Sequence, residues 1–180
     1  MIDYIVIQLI AYVAVLIYGS FFEWTLHRFV MHKRVALVPY PYQLHAVSHH
    51  SLFRADESFH AQNEEVKEHV TFVPRDYLIL LCINAPIFLL VGYLINVPIV
   101  LGGCLSVLTY LAMFDIIHWS FHVPTTWFYE KMKIFKWIKQ HHLLHHRHQN
   151  RNFNVVFPLA DLVLGTLITK PRGEAKVLEI

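Results

Sequence analysis

Three stretches of this chain carry no charged residue: Tyr4–Phe22, Tyr77–Ile95 and Val97–Phe114. Each approaches the roughly 20 apolar residues that a helix needs to cross a bilayer. The chain as a whole is 56% hydrophobic and 16% charged, too apolar for an ordinary soluble domain, and its 180 residues suit a single domain over 1–180. Only Asn96 and Pro98 interrupt the second and third spans, so these two form a tight antiparallel hairpin. No Lys or Arg lies before Phe22 or around the Asn96 turn; all 15 fall in residues 28–75, 131–151 and the tail. Basic loops stay on the cytoplasmic side, which places the N-terminus and the hairpin turn outside and the rest inside. The first span lacks a basic n-region and a small-residue cleavage site and reads as retained rather than as a signal peptide. The expected fold is an all-α integral membrane protein, with about three transmembrane helices and a cytoplasmic helical cap over residues 23–75 and 115–170.

The cap is where the histidines are. All 14 lie outside the apolar cores, and the segment KQHHLLHHRHQN holds five of them. They group as His27 and His32; His45, His49 and His50; His118 and His122; and His142, His145 and His146, with His141 as a substitute in the last group. Residues three and four apart share a helix face, so His118/His122, His142/His145/His146 and His45/His49 each present imidazoles side by side, with His50 flanking. His27 and His32 are five apart, roughly 140° round an ideal helix. They converge only if the helix unwinds or bulges after the span. Neutral imidazole is the commonest metal ligand and suits iron, zinc and copper. Ten ligands exceed the needs of one ion, so the count implies a dimetal site.

Metal-bound imidazoles commonly donate their other N–H to a carboxylate. Glu23, four before His27, and Asp115, three before His118, are the acids placed to accept it; Asp161 has no such geometric assignment. His60, His69 and His148 are read as ordinary histidines. Cys82 and Cys104 are not expected to pair, and no CxxC motif offers a zinc or iron–sulfur site. No repeat, nucleotide-binding loop or nucleophile motif is present, and nothing points to nucleic acid.

The four histidine groups, with NRNFNVVFPLADLVLGT after the last, resemble the fatty acid hydroxylase superfamily of membrane di-iron enzymes, which includes sterol desaturases and carotenoid ring hydroxylases. The resemblance runs from about Glu23 to Thr166. Asn152-Phe153, Asp161 and Gly165-Thr166 fit the family's closing segment, with Asn154 where a glycine is usual. It implies His27, His32, His45, His49, His50, His118, His122, His142, His145 and His146 as ligands of two iron ions, no catalytic residue beyond them, and O2 as co-substrate. Zinc, which follows iron in the affinity order, can replace iron on purification. The implied reaction hydroxylates an unactivated C–H bond of a fatty acyl or sterol-like lipid. Carotenoid ring hydroxylation and desaturation are the alternatives within the superfamily. The chain has no room for a fused cytochrome b5 and no ferredoxin of its own, so electrons come from a separate cytochrome b5 or ferredoxin-type donor with its reductase. Three spans where many relatives have four suggest a homodimer that supplies the missing wall. The compact form favours a bacterial inner membrane over the endoplasmic reticulum.

Two readings from other classes compete. A metal transporter needs ligands inside the spans, whose cores hold only Asn84 and a few hydroxyls. A zinc hydrolase needs a carboxylate base among the histidines. Elsewhere, KMKIFKWIK (131–139) reads as an interfacial helix with Trp127, Phe128, Ile134, Phe135 and Ile138 toward lipid, and as a docking surface for the donor. Residues 53–76 read as a covering loop without a separable function. VVFPLADLVLGTLI (155–168) is too short and Pro-broken to span, and the tail from Lys170 reads as a loose end.

Overall fold

The structure, a computed structural model, describes residues 2–170; the tail beyond Lys170 lies outside the described residues. Helices and loops account for all of it, with no strand among the described residues. Four helices are long: α1 (Ile2–Leu26), α2 (Pro74–Leu94), α3 (Val100–His122) and α4 (Lys133–Arg147). Three helical stretches are long and apolar enough to cross a membrane: Asp3–Met31, Pro74–Leu94 and Val100–His122. The first and third outrun the uncharged spans because the helix continues into the histidine segments. The chain divides into two compact units.

The first unit comprises Met1–Gly19 and Phe72–Asp115. Apolar helices gain little from burying carbon against carbon in lipid, so close approach and polar contacts hold them together. Gly19 lies against the Tyr110 ring and Gly102 against the Gln8 carbonyl, each too close for a Cβ atom. The Gln8 amide donates to the Pro98 carbonyl and accepts from the Gly102 N–H at 2.8 Å. Fully buried Asn84 accepts from the Tyr18 hydroxyl at 3.0 Å and donates to the Leu80 carbonyl at 2.8 Å. Val15, Phe88, Val107 and Leu111 fill the space between. The hairpin turn is a Schellman cap. Asn96 takes φ +54°, the Val97 N–H reaches the Gly92 carbonyl, and the Asn96 N–H reaches that of Tyr93. Cys82 and Cys104 are both free.

Asp115 also belongs to this unit. Its carboxylate accepts from the Phe72 N–H at 3.0 Å and the Tyr77 hydroxyl at 2.5 Å, tying the entry of α2 to α3. An Asp115→Asn chain is therefore expected to lose about 1–3 kcal/mol, the cost of disturbing part-buried charge-assisted bonds, while its metal content stays that of the parent. Thermal unfolding beside elemental analysis checks both; a loss of metal at unchanged stability would contradict it.

The second unit, Ser20–Thr71 and Ile116–Ile180, holds every candidate ligand. Phe53, Phe59, Phe121 and Phe153 are almost completely buried and wall the histidines. Phe135 does not face lipid as the sequence suggests: it is buried against Phe121 and Tyr129, with ring centroids 5.4 and 5.5 Å away. Trp127, Phe128, Ile134 and Trp137 remain exposed. In 155–168 only Leu159–Val163 is helical; Val155, Val156 and Ala160 are buried, and Leu162, Val163 and Leu164 are exposed.

Candidate metal centre

The five-residue spacing that fits an α-helix poorly is accommodated by a change of helix type. Residues His27–Met31, directly after α1, form a π-helical turn, in which the His32 N–H bonds to the His27 carbonyl at 3.0 Å. Such i→i+5 turns are rare and recur at functional sites. One turn closes in five residues, so His27 and His32 return to the same face; their rings stack with centroids 5.0 Å apart. A second π-helical turn, Gln43–His49, does the same for His45 and His50, with the His50 N–H on the His45 carbonyl. His49, a residue short of the full turn, points elsewhere. The pairing of His45 with His49 expected from α-helical spacing is thus replaced by His45 with His50.

The last histidine group is also divided. On α4, His142 and His146 share a face, whereas His145 lies roughly 60° round from His142 on the other side. The ten imidazoles therefore sort into two groups of five: His27, His32, His45, His50 and His145, and His49, His118, His122, His142 and His146. Within each group the ligand nitrogens all lie within 4.8 Å of one another. All ten are buried except His32, which is partly exposed.

Hydrogen bonding fixes which nitrogen is available. Nδ1 of His49 donates to the His69 carbonyl (3.1 Å), that of His118 to Val70 (2.9 Å), that of His122 to Phe59 (2.7 Å) and that of His146 to Phe53 (2.5 Å). In the other group, His27 Nδ1 donates to the Phe153 carbonyl and His145 Nδ1 to Arg151 (2.7 Å). A carbonyl can only accept, so each of these rings, when neutral, carries its proton on Nδ1 and a bare lone pair on Nε2. Those lone pairs converge. His49 and His146 Nε2 are 3.3 Å apart, and His142 Nε2 faces those of His118, His122 and His146 at 3.0–3.1 Å. One proton on His142 can satisfy only one of them. Burial, reinforced by the neighbouring imidazoles, pushes His45, His49, His142, His145 and His146 well below the ordinary histidine range, and burial pushes His32 down to about 4. Protons are therefore poor occupants. A set of neutral lone pairs aimed at common points fits a cation held by coordination, which is the donor set that iron and zinc accept.

The four carbonyls serving the second group all come from residues 53–70, so the covering loop also orients the rings it covers. It is itself fixed by an Ala61 N–H bond to the His122 carbonyl at 2.7 Å. Arg151 and Phe153, from the segment after the last histidines, serve only the first group. No side-chain pattern announces a carbonyl, which is why this collar was not legible in the sequence.

The acids do not play the part that helix spacing assigns them. The imidazole N–H groups that Glu23 and Asp115 were placed to accept go to backbone: His27 to Phe153, His118 to Val70, His122 to Phe59. Glu23, buried, instead accepts from the Val155 N–H (2.6 Å) and the Asn154 side chain (3.0 Å). Asp161, fully buried, accepts from the Phe153 N–H (2.9 Å), the Asn154 N–H (2.7 Å) and the Thr166 hydroxyl (2.6 Å), and its Oδ2 lies 3.2 Å from His141 Nε2. His141 thus pairs with Asp161 rather than joining either group. Both carboxylates hold the segment that presents the Phe153 carbonyl.

Neither the curated proteins nor the solved structures compared with the chain gave a significant match. The sequence model of one family, fatty acid hydroxylase, matches residues 12–166, a stretch that takes in all ten histidines, both carboxylates at the closing segment and the helical hairpin. By that match the chain belongs to the fatty acid hydroxylase family.

Proposed function

We propose that this chain is a membrane di-iron oxygenase that hydroxylates an unactivated C–H bond of a fatty acyl or sterol-like lipid. The observation that carries the reading is the convergence of imidazole nitrogens in two groups of five, six of the ten with Nδ1 on a carbonyl and Nε2 left bare, with membership in a lipid hydroxylase family supplying the reaction class. The ten histidines would hold two iron ions, and bound iron supplies the activation of O2. The net reaction is R–H + O2 + 2 e⁻ + 2 H⁺ → R–OH + H2O, so each turnover needs two electrons, for which a cytochrome b5 or ferredoxin-type protein is the proposed donor. The chain's own residues hold the imidazoles neutral, fix the tautomers of six of them through the two sets of carbonyls, and exclude water with Phe53, Phe59, Phe121 and Phe153. The whole chain is read as one catalytic domain in the membrane. The confinement of Lys and Arg to the histidine-bearing segments supports a cytoplasmic metal site, and three candidate spans among the described residues, where many relatives have four, support a homodimer.

A zinc hydrolase is less favoured because neither metal-holding group contains a carboxylate, and Glu23 and Asp115 are engaged with backbone N–H groups. The reaction is tested by expressing the chain with a reductase system under ¹⁸O2 and examining host lipids by mass spectrometry. A lipid heavier by one ¹⁸O atom is the expected product. A lipid lighter by two hydrogens would assign desaturation instead. Labelled xanthophylls made only in a carotene-producing host would assign ring hydroxylation. Unchanged lipids with iron bound and donor present would end the oxygenase reading.

A further inference from the structure

The two groups are built unequally. In the group of His49, His118, His122, His142 and His146, four of the five rings are locked by carbonyl acceptors, and all five are buried. In the group of His27, His32, His45, His50 and His145, only His27 and His145 are locked. Each group has one buried Nδ1 without a partner, that of His50 here and that of His142 in the other, so what separates the groups is the number of locked rings and the partial exposure of His32. An imidazole whose tautomer and orientation are already set loses less freedom on binding metal, and such outer contacts commonly change affinity by about 10–100-fold.

The two locks of the weaker group both come from one short stretch, Arg151–Phe153. Its geometry depends on Asp161. Asn152 sits at φ +54°, its amide bonding to the carbonyls of His141 and Ile168 at 3.0 Å. The next two N–H groups, Phe153 and Asn154, converge on the two Asp161 oxygens, and the Asp161 carbonyl accepts from Thr166 and Leu167 at 2.9 and 3.0 Å. The Asp161 side chain thus fixes the peptide whose carbonyl orients His27, without touching any histidine of either group; its imidazole neighbour, His141, belongs to neither. None of the carbonyls that lock the other group lies in this stretch.

We infer that the two centres bind metal independently and unequally, the His49/His118/His122/His142/His146 centre tightly and the His27/His32/His45/His50/His145 centre exchangeably, with Asp161 as the positioning residue that sets affinity at the exchangeable centre alone. The inference rests on the reading of both groups as metal sites. The exchangeable centre is the one with a partly exposed ligand, His32, and the one with two carbonyl locks rather than four.

The test uses the full chain in detergent micelles, loaded with Zn²⁺ and challenged with rising chelator, with retained metal counted by elemental analysis and helicity followed by circular dichroism. The parent is expected to lose its two ions in two steps, separated by at least about tenfold in chelator. Asp161→Asn keeps the size of the side chain but replaces an accepting oxygen by an NH2 group facing N–H donors; it should move the first step about 10–100-fold earlier and leave the second in place. His32→Ala, at a partly exposed position that keeps the fold safe, should abolish the first step only, and His122→Ala the second only. Loss of both ions in one step, or an Asp161→Asn or His32→Ala chain of native helicity that loses the late ion, overturns the inference. A parent chain that binds no Zn²⁺ at all instead overturns the metal-site reading itself.

Discussion

A His142→Ala chain purified from iron-supplemented cells is expected to hold one metal ion where the parent holds two, and to turn over lipid at less than about a hundredth of the parent rate. His142 Nε2 is the hub of its group, within 3.0–3.1 Å of the nitrogens of His118, His122 and His146. Removing it deletes one ligand and opens a cavity beside Phe121, whose ring stacks on it at 5.2 Å, so the remaining four rings lose their common focus. Outer contacts alone are worth about 10–100-fold in affinity, and a direct ligand exceeds them. The companion variant is the pair His145→Ala, His146→Ala. Neighbours in sequence, these two serve different groups, so the double change should empty both centres where His142→Ala empties one. Elemental analysis of each protein, at matched helicity, is the check. Two ions retained in the double variant would mean that these histidines do not hold metal, and the oxygenase reading would fall with them.

How far the site could be read from the chain depends on which forces act locally. The three apolar stretches announced themselves by length, because a bilayer imposes a fixed thickness. The ten histidines announced themselves by clustering. Their partition did not, because α-helical spacing was applied where the backbone adopts π-helical turns. His45 then belongs with His50, five residues on, and His49 turns to the opposite group. The sign was present in the His27–His32 spacing, which required a bulge, but the same bulge at Gln43–His49 was hidden behind an ordinary i,i+4 pair. The collar was invisible for a different reason. Backbone carbonyls have no letter in a sequence, and the acids that do, Glu23 and Asp161, act one peptide away by holding the segment that offers the Phe153 carbonyl. The expectation that carboxylates would receive the imidazole N–H groups follows common practice in metal sites. Here buried carbonyls perform that task with no added charge, which leaves each five-imidazole group neutral until a cation binds.

That neutrality predicts how the metal-free chain responds to acid. In the unfolded chain each imidazole titrates near 6.5. In the fold, burial and crowding among like groups hold the rings neutral, with His32 protonating only at about 4 and His45, His49, His142, His145 and His146 also held well below the ordinary histidine range. The folded values lie below the unfolded one, so the unfolded state binds more protons at acid pH and stability rises with pH. The stability is fully present above about 6.5 and is lost as pH falls below it, through about 4 for His32. Each unit of lowering is worth about 1.4 kcal/mol, and several rings act together, so a few kcal/mol should go between pH 7.5 and 5. For a chain of this length that is a fall in Tm of about 10 °C or more, with little change between pH 7.5 and 8.5. Bound metal needs the same neutral rings, so the loaded chain should resist acid longer and then release metal and unfold together. Thermal unfolding of metal-free protein in detergent, followed by circular dichroism from pH 4.5 to 8.5, measures the window. A Tm that stays level or rises on acidification would mean that protons already occupy the groups at neutral pH. The tautomers assigned from the carbonyl contacts would then be wrong, and with them the argument that these nitrogens are arranged for a metal ion.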